Sequence, residues 1–97
     1  MSVRIHWPSD IDAVAGYLPS KGFLDLEVEA HGQRYRLSFR DLANVREGVR
    51  GAKAAGGVAW WEPGLVVLTD VSVENVQSAV DTLEANGAFE GGEFPAR

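Results

Sequence analysis

Apolar and polar residues alternate through Phe23–Arg40, and this is the strongest pattern in the chain. Leu24, Leu26, Val28 and Ala30 share one parity, while Phe23, Asp25, Glu27 and Glu29 share the other. After His31-Gly32, Tyr35, Leu37 and Phe39 alternate with Arg34, Arg36, Ser38 and Arg40. A period of two marks half-buried strands, and a two-residue turn fixes how they pair. The predicted register sets Val28 opposite Tyr35, Leu26 opposite Leu37 and Leu24 opposite Phe39. It also sets Glu29 opposite Arg34 and Glu27 opposite Arg36, pairs of opposite charge worth about 0.2–1 kcal/mol each. A slip of one residue would turn the apolar set to solvent, so the register is strongly specified.

The flanking segments follow in order. Val3 and Ile5 alternate with Arg4 and His6, which predicts a short strand ended by Pro8. Ser9 is the expected cap of a short helix with Asp10 and Asp12 in its first turn and Ile11, Val14, Ala15 and Leu18 on one face. Gly16 weakens that helix and Pro19 is expected to stop it. Asp41 caps a second helix, whose residues Leu42, Val45, Val49 and Ala52 recur at helical spacing and predict a buried stripe. Gly56-Gly57 ends it. Val58–Asp70 reads as another strand pair, Val58–Trp61 and Leu65–Thr69, turned by Glu62-Pro63-Gly64. The second arm is apolar on both faces. That predicts a central strand, or one covered by helices on one side and a partner on the other. Ser72 caps a last helix with Val73, Val76, Ala79, Val80 and Leu83 on its apolar face and Asn86-Gly87 at its end. Phe89 is expected to fold back over that end.

The expected fold class is therefore α+β, in the approximate order β-α-β-β-α-β-β-α, with an antiparallel or mixed sheet packed against helices. The 97 residues allow a single domain, expected over residues 1–90, with a flexible tail at 91–97. The absence of cysteine excludes disulfides, thiolate metal ligands and cysteine nucleophiles. No apolar run approaches a membrane span, and no basic segment leads into an apolar one as in a leader peptide. A cytoplasmic location without membrane attachment is the corresponding expectation.

Charge divides the chain. Residues 1–60 hold eight basic and seven acidic side chains, whereas residues 61–97 hold seven acidic ones and only Arg97. The net charge of -5 thus belongs to the last third. Such a field repels nucleic acid backbones and attracts basic partners.

Catalytic chemistry finds little footing. His6 and His31 are the only histidines, without metal-ligand spacing, and no serine lies in a nucleophile elbow. The glycines at 48, 51, 56 and 57 lie in and after a helix rather than between a strand and a helix, where a phosphate loop belongs. No catalytic, metal or cofactor residue is assigned, and no cofactor is expected. His31 reads as a solvated turn residue and His6 as an edge residue beside Trp7.

Tryptophan is frequent, with three in the chain and Trp60 adjacent to Trp61. Neighbours in a strand point to opposite faces, so one of that pair is free to anchor a protein interface, where Trp and Arg are favoured. The expected interface comprises Trp60, Trp61, Glu62, Asp70, Glu74, Asp81 and Glu84, with His6, Trp7, Arg34 and Arg36 as secondary candidates. The expected function is a non-enzymatic binding or inhibitory module that covers a basic protein. Its size and charge resemble small acidic proteins that neutralise a basic enzyme, such as toxin-immunity proteins. The alternatives are self-association as a structural accessory domain and, third, an enzyme acting on a small molecule.

Overall fold

The computed structural model describes residues 3–90 as a small α+β domain. Its elements are β1 (Val3–His6), α1 (Ile11–Val14), α2 (Leu18–Lys21), β2 (Phe23–Ala30), β3 (Gln33–Arg40), α3 (Leu42–Ala54), β4 (Leu65–Val67) and α4 (Val73–Ala85). The four strands form one sheet in the order β1-β2-β3-β4. The first two pairings are antiparallel and β3-β4 is parallel. The tail expected at residues 91–97 lies outside the described residues.

The hairpin has the register its alternation predicts. Leu24 pairs with Phe39, Leu26 with Leu37, Val28 with Tyr35, Glu27 with Arg36 and Glu29 with Arg34. His31 and Gly32 both take positive φ, 52° and 77°. Two consecutive left-handed residues make the tight turn whose twist suits a hairpin. One face of the sheet is consequently apolar. Phe39, Leu37 and Val28 on that face are fully buried with Leu18, Val71, Val76 and Val80. α1, α2 and α4 cover it, since Ile11, Val14, Leu18, Val76, Val80 and Leu83 belong to the same cluster. Full burial of each such side chain contributes about 1.5–3 kcal/mol. Phe89 does fold back: it is buried, its ring lies 5.1 Å from that of Tyr35, and its carbonyl accepts the Tyr35 hydroxyl at 2.8 Å.

Local capping is equally faithful at two helices. The Asp41 carboxylate accepts the Asn44 N–H at 2.9 Å and the Ser72 hydroxyl accepts the Asn75 N–H at 3.1 Å. The first helix differs. It begins after Asp10 without a side-chain cap, so Ser9 is not the cap. It breaks into α1, a 3-10 turn at Ala15–Tyr17, and α2. Pro19 does not stop it but sits in the first turn of α2, where an absent N–H costs nothing.

Two larger expectations fail. The stripe on α3 is not buried: no α3 residue is, and Leu42 and Val49 are 55% and 47% exposed. The apolar face of the sheet is already filled by α4, and α3 connects two parallel neighbours from the other side of the sheet. That side carries Asp25, Glu27, Arg34 and Arg36 and offers an apolar stripe little to pack on. Nor is there a second hairpin. Val58–Trp61 forms no strand, and β4 is a short edge strand parallel to β3 instead of a central one. The Glu62-Pro63-Gly64 turn therefore leads into β4 rather than joining two strands.

Candidate functional site

The segment before β4 is held by one arginine. Arg40, the last residue of β3, points to the polar face of the sheet. Its Nε and Nη2 both donate to the Glu62 carboxylate, Nη2 to Oε2 at 3.2 Å, and its Nη1 donates to Asn44 Oδ1 on α3. The guanidinium also lies 5.5 Å from the ring centroids of both Phe23 and Trp60. Ser38 Oγ adds a further donor to Glu62 Oε1. A planar fork with aromatic contacts suits arginine and not lysine. Trp60 is half-buried and its ring rests on Gly48 of α3, where a Cβ would overlap the indole. Gly48, which reads in the sequence as a helix weakener, is thus the seat of a tryptophan.

This bracing separates the tryptophan pair. Trp60 is turned inward and Trp61 is 73% exposed. It also removes Glu62 from the set of free acids. The Arg40 guanidinium, with the Ser38 hydroxyl, holds the Glu62 carboxyl below its ordinary value of 4.5 against the opposing effect of burial. A carboxylate so stabilised is a weak base, which disfavours acid–base chemistry in the adjoining 300 Å³ hollow lined by Asp25, Arg36, Ser38, Glu62 and Pro63.

The depressed value carries a pH dependence. The native Glu62 carboxyl binds its proton less tightly than the unfolded one. Its stabilising contribution is therefore complete above the unfolded value and disappears as pH falls through the lower native value. Urea stability measured from about pH 6 to pH 3 is expected to fall less steeply for Glu62→Gln than for the parent. Parallel pH profiles would show that the Arg40–Glu62 pair does not form.

The remaining candidates divide by location. Asp70, Glu74 and Asp81 are exposed. Glu84 does not face outward: it bonds His31 Nε2 at 2.8 Å, and both side chains are largely covered. His31 is accordingly not a solvated turn residue but the contact between the hairpin turn and α4. Its sequence position gave no hint, because the partner lies 53 residues away. His6 is half-buried and bonds Glu29 across β1 and β2 at 3.1 Å. Trp7 is half-buried and packs against the core. Arg34 donates to Glu27 at 3.2 Å, while Arg36 lines the hollow beside Glu62. The expected facing charges thus occur in register, and the Arg34–Glu27 ion pair runs diagonally across the strands.

The structure brings Trp60 and Glu62 together around Arg40 and leaves Trp61 outward. Arg40, Asn44, Gly48 and Phe23 belong to that assembly and were not among the expected site residues. The alternation of the hairpin does place Phe23 and Arg40 on one face, which is the available signal. No helix among the described residues is long and apolar enough to cross a membrane. No family model, curated protein or solved structure matches the chain.

Proposed function

We propose that the chain is a non-enzymatic protein-binding module that covers a basic partner, with Trp61 as anchor and Asp70, Glu74 and Asp81 as steering charges. The observation that carries this reading is the exposure of Trp61, 73%, between two neighbours that are tied down. Trp60 rests on Gly48 and Glu62 is gripped by Arg40. An indole presented by a braced segment loses little entropy on binding, and Trp is a favoured hot-spot residue. The acidic last third supplies long-range attraction, which acts chiefly on association rate and choice of partner. Inhibition would follow by occlusion where the covered surface belongs to an enzyme.

The test compares the parent with Trp61→Ala. Proteins captured by the parent from native lysate are identified, purified and titrated against both forms by calorimetry. The expected result is a basic partner whose affinity falls about thirtyfold in the variant, the usual size of a hot-spot loss of about 2 kcal/mol. Thermal unfolding of the variant should match the parent, since Trp61 lies outside the core. Equal affinity of both forms for every captured partner would refute the anchor.

A further inference from the structure

The edge of the sheet offers a second, different opportunity for binding. Among the described residues, β4 is the last strand in the order and has β3 on one side only. Ser38 N–H donates to Gly64 O and Leu68 N–H to Arg40 O, both at 2.9 Å. Residues 64, 66 and 68 therefore direct their backbone polar groups toward β3. Strand alternation turns the N–H and C=O of Leu65 and Val67 away from it, to the open edge. Free edges of this kind are templates for another strand, and proteins commonly protect them with lysine, proline or a covering element. From Leu65 to Thr69 there is no lysine or proline, and Pro63 lies two residues ahead of β4. Val67 is 52% exposed.

Beside this edge runs an open groove of about 370 Å³ between β4 and α4. Val66, Leu68, Ala79 and Leu83 contribute its apolar lining, with Asn75 and Ser78 at the polar margin. A strand added to β4 would lay alternate side chains into it. Charge decides the occupant. From Ala54 to Glu90 the chain has no Lys or Arg, and its acids include Asp70, Glu74 and Asp81, all exposed. Glu74 and Asp81 stand about one helical turn on either side of Ser78 in the groove margin. A second copy would bring the same acids against themselves, so self-pairing is disfavoured, whereas a cationic strand would be attracted.

We propose that the β4 edge and the β4–α4 groove bind an extended cationic segment by strand addition, with apolar side chains at alternate positions in the groove and Lys or Arg beside Asp70, Glu74 and Asp81. Main-chain bonds to Leu65 and Val67 supply affinity and the groove supplies selectivity. The inference rests on the reading of this chain as a protein-binding module, but it does not involve Trp61.

The test titrates the isotope-labelled full chain with a capped peptide of alternating Lys and Val, and with the same peptide carrying Glu for Lys. Amide shifts are expected at Leu65, Val67, Thr69, Ala79 and Leu83, with slowed exchange at Leu65 and Val67. Val67→Pro removes an outward N–H while leaving the Ser38–Gly64 and Arg40–Leu68 bonds possible, as suits proline on an edge strand. It is expected to weaken the Lys-Val peptide about tenfold, the effect of about 1.4 kcal/mol. The double variant Glu74→Lys and Asp81→Lys, which leaves the backbone untouched, should weaken it similarly and reduce its salt dependence. Equal binding of the Glu-Val peptide, shifts confined to another surface, or undiminished binding by Val67→Pro and by the charge reversal would overturn the proposal. So would a concentration-dependent dimer abolished by Val67→Pro, which would assign the edge to a second copy. Trp61→Ala should leave peptide affinity unchanged. Loss of partner capture in that variant, without peptide binding to the parent, would sink strand addition alone. Peptide binding with capture indifferent to Trp61 would sink the anchor alone.

Discussion

Replacement of Gly64 by alanine is expected to cost about 2–4 kcal/mol, combining left-handed backbone strain with overpacking. Gly64 has φ of +70°, which an L side chain tolerates poorly. A Cβ there would also collide with the carbonyl oxygen of Arg36. That oxygen belongs to the middle of β3, where Arg36 pairs with Glu27, so the strand cannot yield without loosening the hairpin. The cheaper escape is for residue 64 to withdraw. Doing so breaks the Ser38–Gly64 bond and detaches the start of β4. Equilibrium urea unfolding measures the cost, and hydrogen exchange at Val66 and Leu68 locates it. Stability within about 0.5 kcal/mol of the parent, the range of an ordinary surface change, would show that the close approach to β3 is wrong. For a domain with about 5–15 kcal/mol in total, the expected loss is a large fraction.

Phe39→Ala is expected to cost about 3–5 kcal/mol, whereas Leu42→Ala and Val49→Ala should each change stability by less than about 0.5 kcal/mol. All three remove a large apolar side chain within eleven positions of sequence. Phe39 is fully buried in the core, and its deletion leaves a cavity flanked by neighbours that other elements hold in place. Leu42 and Val49 are about half exposed, so truncation removes little buried area. Thermal or urea unfolding of the three variants separates the cases. A loss at Leu42 or Val49 comparable to that at Phe39 would place α3 in the core and contradict the arrangement of layers.

The contrast between these residues shows what patterning can express. The α3 stripe has the spacing of a buried face, and in isolation it reads no differently from the stripe on α4. Val76 and Val80 are buried because α4 lies on the apolar face of the sheet. Leu42 and Val49 are not, because that face is taken. Amphipathicity states that a helix can bury one side, and only the other elements determine whether a surface is there to receive it. Trp60 and Trp61 make the same point at the candidate site. Strand alternation correctly sends neighbours apart, yet the segment is no strand. Which indole turns inward depends on Gly48 and Arg40, which lie 12 and 20 positions away. Glu84 reads as an outward acid for the same reason: its partner His31 belongs to a turn that only the folded chain brings near α4.

Local chemistry explains what was legible. The hairpin register follows from the period-two pattern and a two-residue turn that adopts positive φ twice. The caps at Asp41 and Ser72 follow from side chains that satisfy a backbone N–H three residues ahead. The excess of acid in the last third is a property of the chain whatever its fold. These features depend on contacts within a few residues or on composition, so the sequence by itself determined them. The tertiary structure decided the parallel direction of β4, its place at the edge, the exposure of α3 and of Trp61, and the partial burial and pairing of Glu62 and Glu84. Each of these depends on which distant surface is free once the hairpin and α4 have packed, and competition for one apolar sheet face is the physical reason.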